Sequence, residues 1–242
     1  MATIWFLLIL LCLLMYVVLD GYDLGIGIAT LIEPDAGHRH EMLEQVAQAW
    51  DGNETWLVLL GVSVWAGFPA AFGAMLPHAY VPVIVMLFAL IVRGVSVEMA
   101  SQAHPAPRWE KAFGIASLVA ALAQGVAATT LIGAVGWFSG LAAVTISCAY
   151  LALGYAYTRR KATGELRARA GHRGMVSGVL ASILVVACLI VGAVLGMHGP
   201  ALLSTPAPRS TLEFLVIGIG LNVPLILFYN WFAHHAFRGD PR

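Results

Sequence analysis

Charge is what this chain has least of. Lys, Arg, Asp and Glu together make up 11% of its 242 residues, against about a quarter in ordinary soluble domains. With 60% hydrophobic residues and a mean hydropathy of +0.84, the chain is excluded as a water-soluble globule and reads as an integral membrane protein. The basic residues form no continuous stripe, so nucleic acid is not an expected partner. Cys12, Cys148 and Cys188 lie in apolar stretches without CxxC spacing, which makes them small buried hydrophobes rather than disulfides or metal ligands. There is no P-loop, no HExxH and no GxSxG. The eight histidines, His38, His40, His78, His104, His172, His198, His234 and His235, all fall in expected loops, at span ends or in the tail. A membrane haem usually takes a His or Met ligand inside the bundle. Met15 and Met86 lie within spans, where isolated methionines are usually core filler, so no haem or metal ligand is expected from this chain. The N-terminus also lacks a basic n-region and a small-residue cleavage site, and its apolar run reads as a retained first span.

What the chain has in abundance is apolar sequence of membrane-spanning length. A span needs about 20 such residues. Seven candidates are found: Ile4 to Ile32, Trp56 to Phe72, Tyr80 to Val97, Phe113 to Val135, Phe138 to Tyr157, Val176 to Met197, and Leu212 to Phe237. The expected fold is an all-α polytopic bundle, a single integral membrane domain over residues 1–242, with a first bundle near 1–135 and a second near 136–242. Short connections at Pro77-His78 and Gly136-Trp137 predict two antiparallel hairpins. Cytoplasmic loops are enriched in Lys and Arg. Arg159, Arg160, Lys161, Arg167, Arg169 and Arg173 lie together between spans five and six, with Arg39, Arg108, Lys111, Arg238 and Arg242 on the same side and Arg209 opposite. The N-terminus is therefore expected outside and the C-terminus in the cytoplasm. Between spans one and two, Met42, Leu43, Val46, Ala47 and Trp50 recur at helical spacing and predict a short amphipathic helix on the membrane surface.

Two polar islands interrupt the oil: Asp20-Gly21-Tyr22-Asp23-Leu24-Gly25 inside the first span, and Trp50-Asp51-Gly52-Asn53-Glu54-Thr55-Trp56 before the second. Ionisable residues at membrane depth are functional candidates by default. At 1.5 Å per residue, Asp20 lies roughly 24 Å along its span, in the cytoplasmic third, and Arg93 roughly 20 Å along the third span. Asp23, Asp51 and Glu98 fall near the same level, so these five groups are candidates for one polar site open to the cytoplasm. A carboxylate in a low-dielectric setting can exchange a proton near neutrality. Asp20, Asp23, Asp51 and Glu98 are the expected proton path, supported by Trp50, Asn53, Glu54 and Arg93. Structural readings stand beside this one. Asp51 with Glu54 has the D-x-x-E spacing of a capping box, Gly21 and Gly25 have the G-x-x-x-G spacing of close helix packing, and the lesser alternative for Asp20 is a buried ion pair that fixes helix packing, Arg93 being a residue that neutralises a carboxylate. A small proton-coupled transporter using the same residues is an alternative function, although the pair of broken helices around a midplane site is missing.

The residues also resemble a known family, subunit II of cytochrome bd-type quinol oxidases. The likeness is carried by Leu19-Asp20-Gly21-Tyr22-Asp23-Leu24-Gly25-Ile26-Gly27, by Trp50 to Trp56, and by Phe68-Pro69. Arg93-Gly94, Thr163-Gly164-Glu165-Leu166, Pro224, Tyr229 and Phe237-Arg238-Gly239 add to it. The resemblance implies a respiratory terminal oxidase in the bacterial cytoplasmic (inner) membrane that oxidises quinol and reduces dioxygen to water, electrogenically and without pumping. It implies that the haems (b-type, and d-type or a b-type variant) sit in a partner, subunit I, which this chain supports, with none ligated here. Membrane lipid and quinone, and a small single-span accessory subunit, are further implied partners. Asp20 and Asp51 match the family's acidic residues associated with proton delivery, and Trp50 matches an aromatic beside them. Typical members are longer, the missing stretch falling between Met197 and Leu212, and the outer loop between the fourth and fifth spans is here reduced to a turn.

Overall fold

A computed structural model describes residues 1–102, 106–131, 133–171 and 204–236. The expected sixth span, Val176 to Met197, and the Phe237-Arg238-Gly239 motif lie outside the described residues. Among the described residues every regular element is helical. They are α1 (Ala2–Thr30), α2 (Ala36–Ala47), α3 (Trp50–Gly67), α4 (Pro69–Gln102), α5 (Pro107–Leu131), α6 (Trp137–Lys161) and α7 (Arg209–Ala236). Five of these, α1, α4, α5, α6 and α7, are long and apolar enough to cross a membrane. The fold is therefore that of a helical membrane protein.

Local chemistry places the breaks. Asp35 caps α2 by accepting a hydrogen bond from the backbone N–H of His38 at 2.9 Å. Pro69 opens α4 and Pro107 opens α5, at the one helical position where a missing N–H is harmless. The hairpin expected at Pro77-His78 is not found. The chain instead breaks at Phe68, and α4 runs through Pro77, His78 and Pro82 to Gln102. Proline is tolerated inside membrane helices because neighbouring groups can satisfy the carbonyls it frees, so Phe68-Pro69 supplies the stop. The turn at Gly136 is as expected: its φ of +83° admits glycine readily, and α6 starts at once behind it.

The chain divides into two compact units. The first comprises residues 1–20, 51–78 and 188–242. Its core is built from large side chains: Trp5, Ile9 and Phe68 pack with Leu212 and Ile219, and Trp56 packs with Cys12 and Tyr16. The second comprises residues 21–50 and 79–187. There α5 and α6 lie against each other, and α2 rests on both. Met42, Leu43, Gln45 and Val46 form the buried face of α2. A short helix is thus present between the first two spans, but it ends at Ala47, Trp50 opens α3 instead, and the apolar face expected on the membrane surface is covered by protein.

Candidate functional site

Within the first unit, Asp20 is completely buried near the end of that unit's share of α1. Asp51 lies in the first turn of α3 and is exposed, Asn53 is completely buried, and Glu54 is half-buried. The capping box, the structural alternative for Asp51 and Glu54, does not match the helix start, because α3 already begins at Trp50 and Asp51 stands one residue inside it. An acidic residue there still faces the positive end of the helix dipole. Its carbonyl accepts a hydrogen bond from the Thr55 hydroxyl at 2.7 Å. Gly52 is where α7 comes in. A Cβ on Gly52 would meet the Tyr229 ring at 2.5 Å and Asn230 Oδ1 at 3.0 Å, so the acidic turn and the end of α7 fit together only through a residue without a side chain.

Within the second unit, Asp23 and Arg93 are both completely buried, while Glu98 is exposed. Two of the sequence motifs meet here. The Trp50 ring lies against Gly94, where a Cβ would come within 2.9 Å of the indole. Trp50 therefore packs on α4 directly beside Arg93. Asp23 lies within electrostatic reach of Tyr157. Tyr157 in turn stacks on Tyr22 with ring centroids 4.1 Å apart, and Lys161 Nζ sits 5.6 Å over its ring. Asp20, Asp23, Asn53, Glu54, Arg93 and Glu98 are each engaged by a polar, charged or ring contact, as buried ionisable groups must be. The five ionisable groups expected at one level thus differ in environment: Asp20, Asp23 and Arg93 are sealed in protein, and Asp51 and Glu98 are exposed.

The second unit also holds an ionic cluster that sequence reasoning did not find. The Glu33 side chain, only 1% exposed, accepts from Arg169 at 3.0 Å and contacts His38 Nδ1 at 3.4 Å. Arg39 donates to Glu110 at 3.1 Å and to the backbone carbonyls of Glu33 and Pro34. Arg169 also donates to Glu165 at 2.6 Å. These contacts tie the end of α1 to α2, to the start of α5 and to the helical residues 164–171. The Asp35 carboxyl is held below its usual range, first by the hydrogen bond from the His38 backbone. The Arg169 guanidinium is held protonated above its ordinary value, chiefly by Glu165. Glu33 and Arg169 stand 136 residues apart, and no local pattern signals such a pair. Glu33-Pro34-Asp35 after the first span was the available clue.

Among the described residues no three His, Cys, Asp or Glu side chains converge as a metal site. His78, placed in an expected turn, lies inside α4 and is exposed.

Residues 1–208 match the family described as cytochrome bd terminal oxidase subunit II. The chain is 27% identical to cytochrome bd-I ubiquinol oxidase subunit 2 of Escherichia coli K12, over 92% of this chain and 63% of that protein. It is 31% identical to cytochrome bd ubiquinol oxidase subunit 2 of Bacillus subtilis 168, over 53% of this chain and 39% of the relative. It is also 28% identical to a probable cytochrome oxidase subunit 2 of Haemophilus influenzae, over 62% of this chain. The chain thus spans less than two thirds of the length of these relatives. With the two acidic islands inside the matched residues, the chain belongs to the cytochrome bd terminal oxidase subunit II family.

Proposed function

We propose that this chain is the non-haem-ligating second subunit of a cytochrome bd-type quinol oxidase in the bacterial cytoplasmic membrane. It supports a haem-bearing subunit I and delivers protons from the cytoplasmic side, with the N-terminus outside and the Arg159–Arg173 loop inside. Family membership supports the assignment. The observation that carries the proton role is the contrast between exposed Asp51 and fully buried Asp20 and Asp23. Quinol oxidation releases protons, and dioxygen reduction to water consumes them at a buried centre. Protons must therefore cross low-dielectric protein, which needs titratable groups at graded depth. An exposed carboxylate can collect a proton from water, and a buried one can hold it away from bulk solvent. Arg93, equally buried within the same unit as Asp23, supplies a positive charge that makes an ionised carboxylate there tolerable. Transfer without pumping then still separates charge, because protons enter from one side only. Haems of b-type, and of d-type or a b-type variant, belong to the partner in this reading, and a small accessory subunit, lipid and quinone complete the assembly.

The test is turnover per haem. Asp20→Asn and Asp51→Asn are nearly isosteric and remove a titratable group, so the purified complex should keep its haem content and lose quinol oxidase rate by about a hundredfold, the lower end of general acid–base contributions. A normal rate per haem with reduced yield would show that the carboxylates only hold the assembly together.

A further inference from the structure

The amide of Asn230 is the least explained polar group in the first unit. The residue is 4% exposed on α7, and among the described residues neither its Oδ1 nor its Nδ2 has a hydrogen-bond partner. Its oxygen lies against Gly52, 3.0 Å from where a Cβ would stand. Gly52 belongs to the first turn of α3, together with Trp50, Asp51 and Asn53. The N–H groups of a helix's first turn have no acceptor within the helix. A buried amide that can both accept and donate thus lies against Gly52, in a turn whose N–H groups find no acceptor within their own helix. Buried polar groups are nearly always satisfied, and where protein does not do it an ordered water commonly does, with about three hydrogen bonds. A polar residue serving as interhelical glue would bond to the neighbouring helix. Asn230 does not.

We propose that Asn230 and the first turn of α3 form a hydration site, and that its water carries protons from Asp51 into the protein past Gly52. This rests on the proton-delivery reading above. The water accepts the proton of a protonated Asp51 carboxyl and releases one of its own inward towards the carboxylate of Asp20, the buried acid of the same unit, so the water is regenerated while Asp51 takes the next proton from the cytoplasm. Gly52 is what lets Tyr229 and Asn230 come this close to the turn, because any Cβ there would meet both. Asn230 is then a positioning residue, acting through the water it orients.

Two measurements on the complex purified through a tag on this chain decide the matter. Electron cryo-microscopy at a resolution that shows ordered water should reveal density bridging the Asn230 amide and the α3 turn, and its absence overturns the proposal. Asn230→Leu, similar in volume and unable to hydrogen bond, should lower the quinol oxidase rate per haem about tenfold and enlarge the slowing seen in heavy water. A wild-type rate and wild-type isotope effect in Asn230→Leu overturn it as well. If Asp51→Asn is slow while Asn230→Leu is normal, only the water link fails. If Asp51→Asn itself turns over normally, proton delivery at this island fails and the link falls with it. Should Asn230→Leu not assemble, Asn230→Ser, which keeps a hydroxyl and leaves space for a second water, should restore assembly and a rate within a few-fold of wild type; assembly with the tenfold loss would overturn the role of the water.

Discussion

The two units are packed by opposite means, although α1 contributes to both. Up to Asp20, α1 is held by large rings: Trp5 against Phe68, and Tyr16 against Trp56, with each of these four side chains at most 4% exposed. From Gly21 onward the same helix is held by the lack of side chains. Gly25 lies on the main chain of Tyr150 and Gly154, and Gly154 lies on the main chain of Gly25 in return. Helices in a membrane gain little from hydrophobic exclusion and associate by close packing and polar contacts, for which small residues are the usual device. Rings fill the space between elements with side-chain volume. Glycines bring main chains together and leave no volume to adjust. A unit of the first kind can relax around a change, and one of the second kind cannot.

The largest expected effect follows directly. Gly25→Leu would drive a side chain into the backbone of α6, where the obstacle has no rotamer to change. The penalty should exceed the roughly 1–3 kcal/mol usual for overpacking, and assembled protein should be undetectable by fluorescence-detected gel filtration. Gly61→Leu, at an exposed site with no atom within 4 Å of the new Cβ, should express as wild type. Recovery of Gly25→Leu at wild-type yield would remove the distinction between the two units.

Trp5→Ala is the matching test of the first unit. It empties a ring-sized volume between Phe68, Leu212 and the rest of that core, a change that costs about 3–5 kcal/mol when neighbours only partly collapse. The complex should still form, with a thermal midpoint clearly below wild type. An unchanged midpoint would mean that the rings do not carry this unit's stability.

How far these features are visible in the amino-acid sequence depends on how local they are. Five of the seven expected spans, the family motifs and the buried position of Asp20 follow from apolar runs and an acid within one of them, because lipid imposes the same constraint at every position of a span. Gly21-x-x-x-Gly25 announces close packing, but its partner Gly154 does not announce itself, since the contact belongs to two distant faces. Spacing points to a break at Pro77-His78 and the chain breaks at Phe68, because proline stops a helix in water more strictly than in a membrane. The capping-box alternative for Asp51 misses by one residue, because helix starts cannot be fixed to one residue by spacing alone. Asn230, by contrast, has no signal in a sequence at all; only its placement against Gly52 makes it a candidate.

A smaller effect is expected at the ionic cluster, where the second unit adds charge to close packing. Glu33→Gln keeps an acceptor for Arg169 and His38 but removes the buried charge that both face. The midpoint of thermal inactivation should fall by about 2–4 °C, the shift a loss of 1 kcal/mol gives in a chain of this size. Glu165→Gln should do nothing measurable, because Glu165 is 68% exposed and such pairs contribute little. Equal effects from the two substitutions would show that burial of Glu33 is irrelevant.

The smallest effect belongs to Asp35, and its pH dependence is what identifies it. The His38 backbone N–H bonds the ionised carboxylate, so the folded-state pKa is depressed below the ordinary value, which is about 3.9 for an unperturbed Asp. A depressed acid stabilises the fold fully above its unfolded pKa, and that stabilisation is lost as pH falls through the lower, folded one. The stability difference between wild type and Asp35→Ala should therefore be constant through neutral pH and shrink only in strong acid, as the carboxylate takes up its proton. Because the group is exposed, salt should shrink the part due to charge while leaving the hydrogen bond. Thermal midpoints of both proteins measured across acid and neutral pH check this. A difference that instead grew on acidification would reverse the sign of the linkage and show that the start of α2 is held by something other than its cap.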